Sequence, residues 1–166
     1  MATSTLTHAR LLEVVRFIPE QGVLVWRKAR KKCRPGSVIG TPHKNGATQA
    51  TIDGKRYLVH RLIWFYVHGT WPPFDIDHRL GTAAGNKLDN LREATRSENM
   101  QNLRCATRRS KSRVLGVWWS PDRRKWCAQI TVNKQRHDLG RYKTRKEAKA
   151  AYLKAKAALH PFSTVT

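Results

Sequence analysis

The sequence predicts an α+β fold in two successive parts. A small N-terminal sheet-rich region runs into a strand–loop–strand–helix unit, and a three-stranded antiparallel sheet packed on one helix follows. Three observations carry that prediction. Asp53-Gly54 separates two short runs, 48–52 and 55–59, that hold Thr, Ile, Tyr, Leu and Val, a hairpin signal. Thr95 and Thr144 are followed three residues later by Glu98 and Glu147, the capping-box spacing that opens a helix. Residues 126–132 alternate Trp126, Ala128, Ile130 and Val132 with Cys127, Gln129 and Thr131, the period of a strand with one face in a core.

Leu6, Ala9, Leu11, Leu12, Val14, Val15 and Phe17 recur at broadly helical spacing, so a helix is expected over 5–17, ended near Pro19. A turn at 20–22 leads to a strand at 23–26. Segment 27–34 holds six Lys or Arg. Arg27, Lys28, Arg30, Lys31 and Lys32 are expected to contact phosphates, the alternative being a solvated loop. The hairpin at 48–59 completes the platform. Residues 60–68 form a helix with Leu62, Ile63, Phe65 and Tyr66 apolar, and Gly69 to Pro73 end it. Strands at 76–79 and 91–94 and a helix at 95–103 make the next unit.

Residues 103–113 are polar and basic and read as a linker, with Arg108, Arg109 and Lys111 able to track phosphates. The last part begins with Val117-Trp118-Trp119, continues through 126–132, turns at Asn133-Lys134 and returns over 135–142. Its helix buries a stripe of Ala148, Ala151, Tyr152, Ala155 and Leu159. The expected division is therefore 1–102, with the chemistry-bearing motif at about 58–102, then the linker 103–113, then 114–166.

Composition narrows the partner. Across 166 residues, Lys plus Arg number 33 against 11 Asp plus Glu, a formal charge of +22. Such an excess points to a polyanion. A hydrophobic content of 40% and six tryptophans exclude plain disorder. No window approaches the roughly 20 apolar residues of a membrane span, and no apolar signal-peptide core opens the chain, so an intracellular protein without a membrane partner is expected. Cys33, Cys105 and Cys127 lie far apart with no CxxC pair, so no structural zinc is expected.

The chemistry concentrates in 77–99. Asp77 and Asn99 bring a carboxylate and an amide carbonyl, hard oxygens suited to a magnesium-like ion that keeps several waters. His78 can take a proton from water near neutral pH. Metal plus base is the minimal kit for phosphodiester hydrolysis. Arg79, Lys87 and Arg92 add positive potential or hold the DNA backbone.

Val59-His60-Arg61-Leu62-Ile63-Trp64, Ile76-Asp77-His78, Asn86-Lys87-Leu88-Asp89-Asn90-Leu91-Arg92 and Ala94-Thr95-Arg96-Ser97-Glu98-Asn99 together resemble an HNH endonuclease of the phage homing type, with a ββα-metal motif. That resemblance implies double-stranded DNA as substrate, one Mg2+ or Mn2+ ion per active site held by Asp77 and Asn99, and His78 as general base. It also implies that Asn90 braces the loop and orients His78, a phage origin and hence a host bacterial cytoplasm. His60 recurs in the family pattern; the sequence leaves open whether it supports the active site or only packs. The loop after His78 departs from the usual Asn-Gly or Asp-Gly turn and reads Leu80-Gly81-Thr82-Ala83-Ala84-Gly85.

Leu139-Gly140-Arg141-Tyr142, Glu147-Ala148 and Ala150-Ala151-Tyr152 resemble an AP2-type DNA-binding domain. The resemblance implies major-groove reading by the sheet face away from the helix. Trp118, Gln129, Thr131 and Arg136 fall on that face, with Arg123 and Arg124 at the hairpin end; Arg pairs with guanine edges and Gln with adenine edges. The rival readings are a catalytically silent, HNH-derived DNA-binding regulator and a general nucleic-acid packaging protein. Whether the protein is a monomer or a dimer is left open.

Overall fold

The computed structural model describes residues 6–29, 33–42 and 47–164. Helices and small antiparallel sheets fall into two units that divide between Ala94 and Thr95.

In the first unit Thr7 opens α1 (His8–Val14), its hydroxyl accepting the Arg10 N–H. The helix expected over 5–17 stops at Val14. Val15–Ile18 instead forms β1, antiparallel to β2 (Val23–Trp26), with Val15 opposite Trp26 and Ile18 opposite Val23. The pairing with β2 decides it. Val15, Phe17 and Ile18 are β-branched or aromatic, buried Val15 and Phe17 alternate with exposed Arg16, and a strand partner waits just past the turn.

β3 (Thr41–Pro42), β4 (Thr48–Ile52) and β5 (Lys55–Leu58) form a second sheet in that order. Asp53 and Gly54 join β4 to β5 with φ of 47° and 79°, both left-handed, as a primed hairpin turn requires. α2 (Val59–His68) buries Val59, Leu62, Ile63 and Phe65 and ends at Gly69, whose φ is 75°. β6 (Asp75–His78) then pairs antiparallel with β7 (Leu91–Ala94).

Leu11, Val15, Leu24, Ile52, Leu62 and Ile63 are the fully closed centre of this unit. Ile76 of β6 and Leu91 of β7 belong to the same cluster. Each such burial contributes about 1.5–3 kcal/mol. The hairpin that carries Asp77, His78 and Asn90 is thus anchored by the residues beside them.

In the second unit Thr95 caps α3 (Arg96–Gln101) with a complete capping box to Glu98. β8 (Val117–Ser120), β9 (Lys125–Val132) and β10 (Gln135–Tyr142) form an antiparallel sheet with β9 central. Thr144 and Glu147 make a second capping box at the start of α4 (Arg145–Leu159). Val117, Ala128, Ile130, Ala148 and Tyr152 are its core.

The segment 103–113, expected as a linker, lies inside this second unit. Lys156 is buried on α4 and its Nζ donates to the Leu103 carbonyl, while buried Ser112 bonds to Val114. Among the described residues no helix is long and apolar enough to cross a membrane.

Candidate active site

Asp77 and His78 end β6, and both are buried. The register sets Asp77 opposite Arg92 and His78 opposite Leu91. Asp77 and Arg92 therefore leave the same face of the hairpin; the guanidinium donates from Nε to Asp77 Oδ2 at 3.0 Å, and its Nη2 forms an ion pair with the same oxygen at 3.0 Å. Arg92, expected at the DNA backbone, is largely turned inward by this pair.

Between the strands, residues 79–90 form a tight loop. Asn90 is buried at its end and spends its amide on the loop backbone. Its Oδ1 accepts the Leu80 N–H at 2.7 Å, and its Nδ2 donates to Gly85 O at 2.7 Å and to Gly81 O at 3.3 Å. Main-chain bonds from Arg79 N–H to Asn90 O (2.8 Å) and from Gly81 N–H to His78 O (2.9 Å) complete the closure. Arg79 and Lys87 are exposed on this loop.

Asn86 and His60 are neighbours of the His78 imidazole. Its Nε2 lies 2.8 Å from Asn86 Oδ1. The ring of His60, on α2, lies edge to face with it at 5.0 Å between centroids and 73° between planes. Burial pulls the His60 pKa down to about 4, and the charges of His78 and Arg61 add to that while Asp75 opposes it. His60 is therefore a neutral ring at neutral pH.

Asn90 acts on the loop, and the side-chain bond to His78 comes from Asn86. The sequence places Asn86 within the HNH-like motif but assigns it no role; it lies eight residues past His78, between Gly85 and the Asn90 clamp.

Asn99 is half-buried on α3 in the second unit, and its N–H bonds to Thr95 O within the helix. As donor types, the Asp77 carboxylate and the Asn99 amide fit a hard, partly hydrated divalent ion. Among the described residues no group of three or more His, Cys, Asp or Glu is placed to hold a metal.

These residues fall in one stretch of sequence. Residues 57–101 match the family model described as HNH endonuclease. The matched HNH segment runs from β5 to the end of α3 and contains His60, Asp77, His78, Asn86, Asn90 and Asn99. The chain is also similar to Protein 3.8 of Escherichia phage T7, 31% identical over 81 residues. That similarity spans 48% of this chain and 66% of the phage protein, just under two thirds of its length. No solved structure matches the chain.

The remaining basic candidates are distributed. Arg27 donates from Nε to Val15 O at 2.8 Å, and Lys28 pairs with Glu13 at 3.1 Å. Arg30, Lys31 and Lys32 lie outside the described residues. Arg108, Arg109 and Lys111 are exposed along the turns of the second unit.

On the sheet, Trp118 is opposite Cys127, Gln129 opposite Asp138 and Thr131 opposite Arg136, all on the face away from Ala128 and Ile130. Trp118, Thr131 and Arg136 are exposed there, Gln129 is half-buried and Cys127 is buried. Arg123 and Arg124 are exposed in the β8–β9 turn. Asp138 accepts the Gly140 N–H at 2.9 Å beside a β-bulge.

Proposed function

We propose that the chain is a divalent-metal-dependent endonuclease of double-stranded DNA. The observation that carries this reading is the β6–loop–β7 unit: a buried Asp77-His78 pair on a hairpin anchored in the core, with its loop clamped by Asn90, inside a segment that matches the HNH endonuclease family.

His78 takes the proton of the attacking water, whose oxygen forms the new bond to phosphorus as the bond to the leaving sugar oxygen breaks. Asp77 and Asn99 are the residues that would hold the ion, which supplies Lewis-acid stabilisation of the negative charge that builds on the phosphate. Arg79 and Lys87, both exposed, engage the DNA backbone on this reading. The second unit supports the AP2-like part of the reading: three antiparallel strands, one helix over one face and an exposed Trp118–Thr131–Arg136 face opposite. On this reading the sheet selects or anchors the site. The similarity to a T7 protein favours a phage protein with a homing-type or DNA-processing role.

A second reading, a silent DNA-binding regulator, rests on the Arg92 guanidinium bound to Asp77. A labelled duplex cut from phage DNA separates the two. The nuclease reading expects magnesium-dependent cleavage, lost in His78→Ala with binding kept, and a weakened magnesium response in Asp77→Ala. Binding without cleavage of phage DNA by the parent protein, at any magnesium or manganese level, favours the regulator.

A further inference from the structure

We propose that Asn86, held in place through Gly22, is the positioning residue that fixes which nitrogen of His78 faces the reaction; the inference rests on the nuclease reading above. A neutral imidazole has one N–H and one lone pair, and only the lone pair can accept a proton. The amide oxygen of Asn86 accepts and never donates. Its contact with His78 Nε2 at 2.8 Å therefore places the N–H on Nε2 and the lone pair on Nδ1. The opposite tautomer would set two lone pairs against each other at that distance and present an N–H where a base is needed.

Two further features hold Asn86 on target, and a third acts on the His78 ring. The Asn90 amide binds the carbonyl of Gly85, the residue before Asn86, at 2.7 Å. The β1–β2 turn is seated directly against the following peptide: a Cβ on Gly22 would lie 2.7 Å from the Asn86 carbonyl carbon and 3.0 Å from Lys87 Cα. Gly22 also sits at φ +65°, where glycine is unstrained. No side chain fits there, so the N-terminal hairpin acts as a wall behind the peptide that carries Asn86. The edge-to-face His60 ring limits rotation of the imidazole. Asn86 and His60 thus meet the His78 ring directly, and Gly22 backs the peptide that carries Asn86.

The test uses the full chain labelled with ¹⁵N, long-range ¹H–¹⁵N NMR of the histidine rings at alkaline pH, and cleavage and binding of the same duplex. The seven histidines are assigned with His78→Gln. The parent should show His78 protonated on Nε2. Asn86→Leu keeps the volume and removes the acceptor. It should lose the single tautomer and cut about 10- to 100-fold more slowly at unchanged DNA affinity. Asn86→Asp, which restores an acceptor, should recover both signals; Asn86→Ala replaces the leucine variant if that one does not fold. An Asn86→Leu protein that keeps the Nε2–H tautomer, or cuts at the parent rate, overturns the inference. A parent that never cuts overturns the nuclease reading and with it the catalytic role, a failure told apart because the tautomer remains measurable.

Discussion

A half-buried imidazole whose loss of solvent outweighs the nearby Asp75 charge is a liability in acid, and His60 is placed to show it. Its pKa is about 4 in the fold against 6.5 in the open chain, burial being the main cause. As the pH falls below about 6.5 the unfolded chain takes up a proton that the folded chain refuses, so stability is lost until about pH 4. At 1.36 kcal/mol per unit this amounts to about 3 kcal/mol. Urea unfolding across that range should find His60→Gln losing less stability than the parent, by about that amount. Parallel curves would show that His60 is already charged, or equally solvated, in the fold. Legibility at this scale followed chain distance. Asp77 and His78 could be singled out by their ligand and base chemistry, and Asn90 by the resemblance to the HNH motif. Asn86 could not, since its duty depends on a loop folding back over eight residues and on Gly22, far away in sequence, meeting its peptide. Arg92 read as a phosphate contact because only the β6–β7 register reveals Asp77 opposite it.

Elements with a local cause could be read directly. The Asp53-Gly54 hairpin and the two Thr–Glu capping boxes need only neighbouring residues, and all three form as the sequence predicts. The α1–β1 boundary could not be read that way. Val14, Val15, Phe17 and Ile18 satisfy a helical stripe and a strand alternation alike, and the choice is made by pairing with Val23–Trp26. That hairpin has a second duty through its turn. Gly22→Ala adds a methyl against the 86–87 peptide at a left-handed φ. It should cost about 1–3 kcal/mol of stability and reduce cleavage several-fold in the protein that remains folded. A variant that melts and cuts like the parent would show that the turn can retreat without moving the loop.

For the molecule as a whole, a charge of +22 makes DNA affinity depend steeply on salt, with a log–log slope of about −0.9 per phosphate neutralised. If the exposed sheet face reads the site, Arg123→Ala with Arg136→Ala should flatten that slope by about two units at most and relax the preference for the chosen site, while the rate of cutting persists. An unchanged preference would remove the sheet from site choice. The claim on which the rest depends is cleavage by His78, and supercoiled plasmid tests it most directly. Incubated with magnesium, the parent should convert plasmid to open circle, or to linear product if active sites act in pairs. Parent without metal and His78→Ala with metal should both leave it supercoiled. Equal relaxation by parent and His78→Ala would contradict the account.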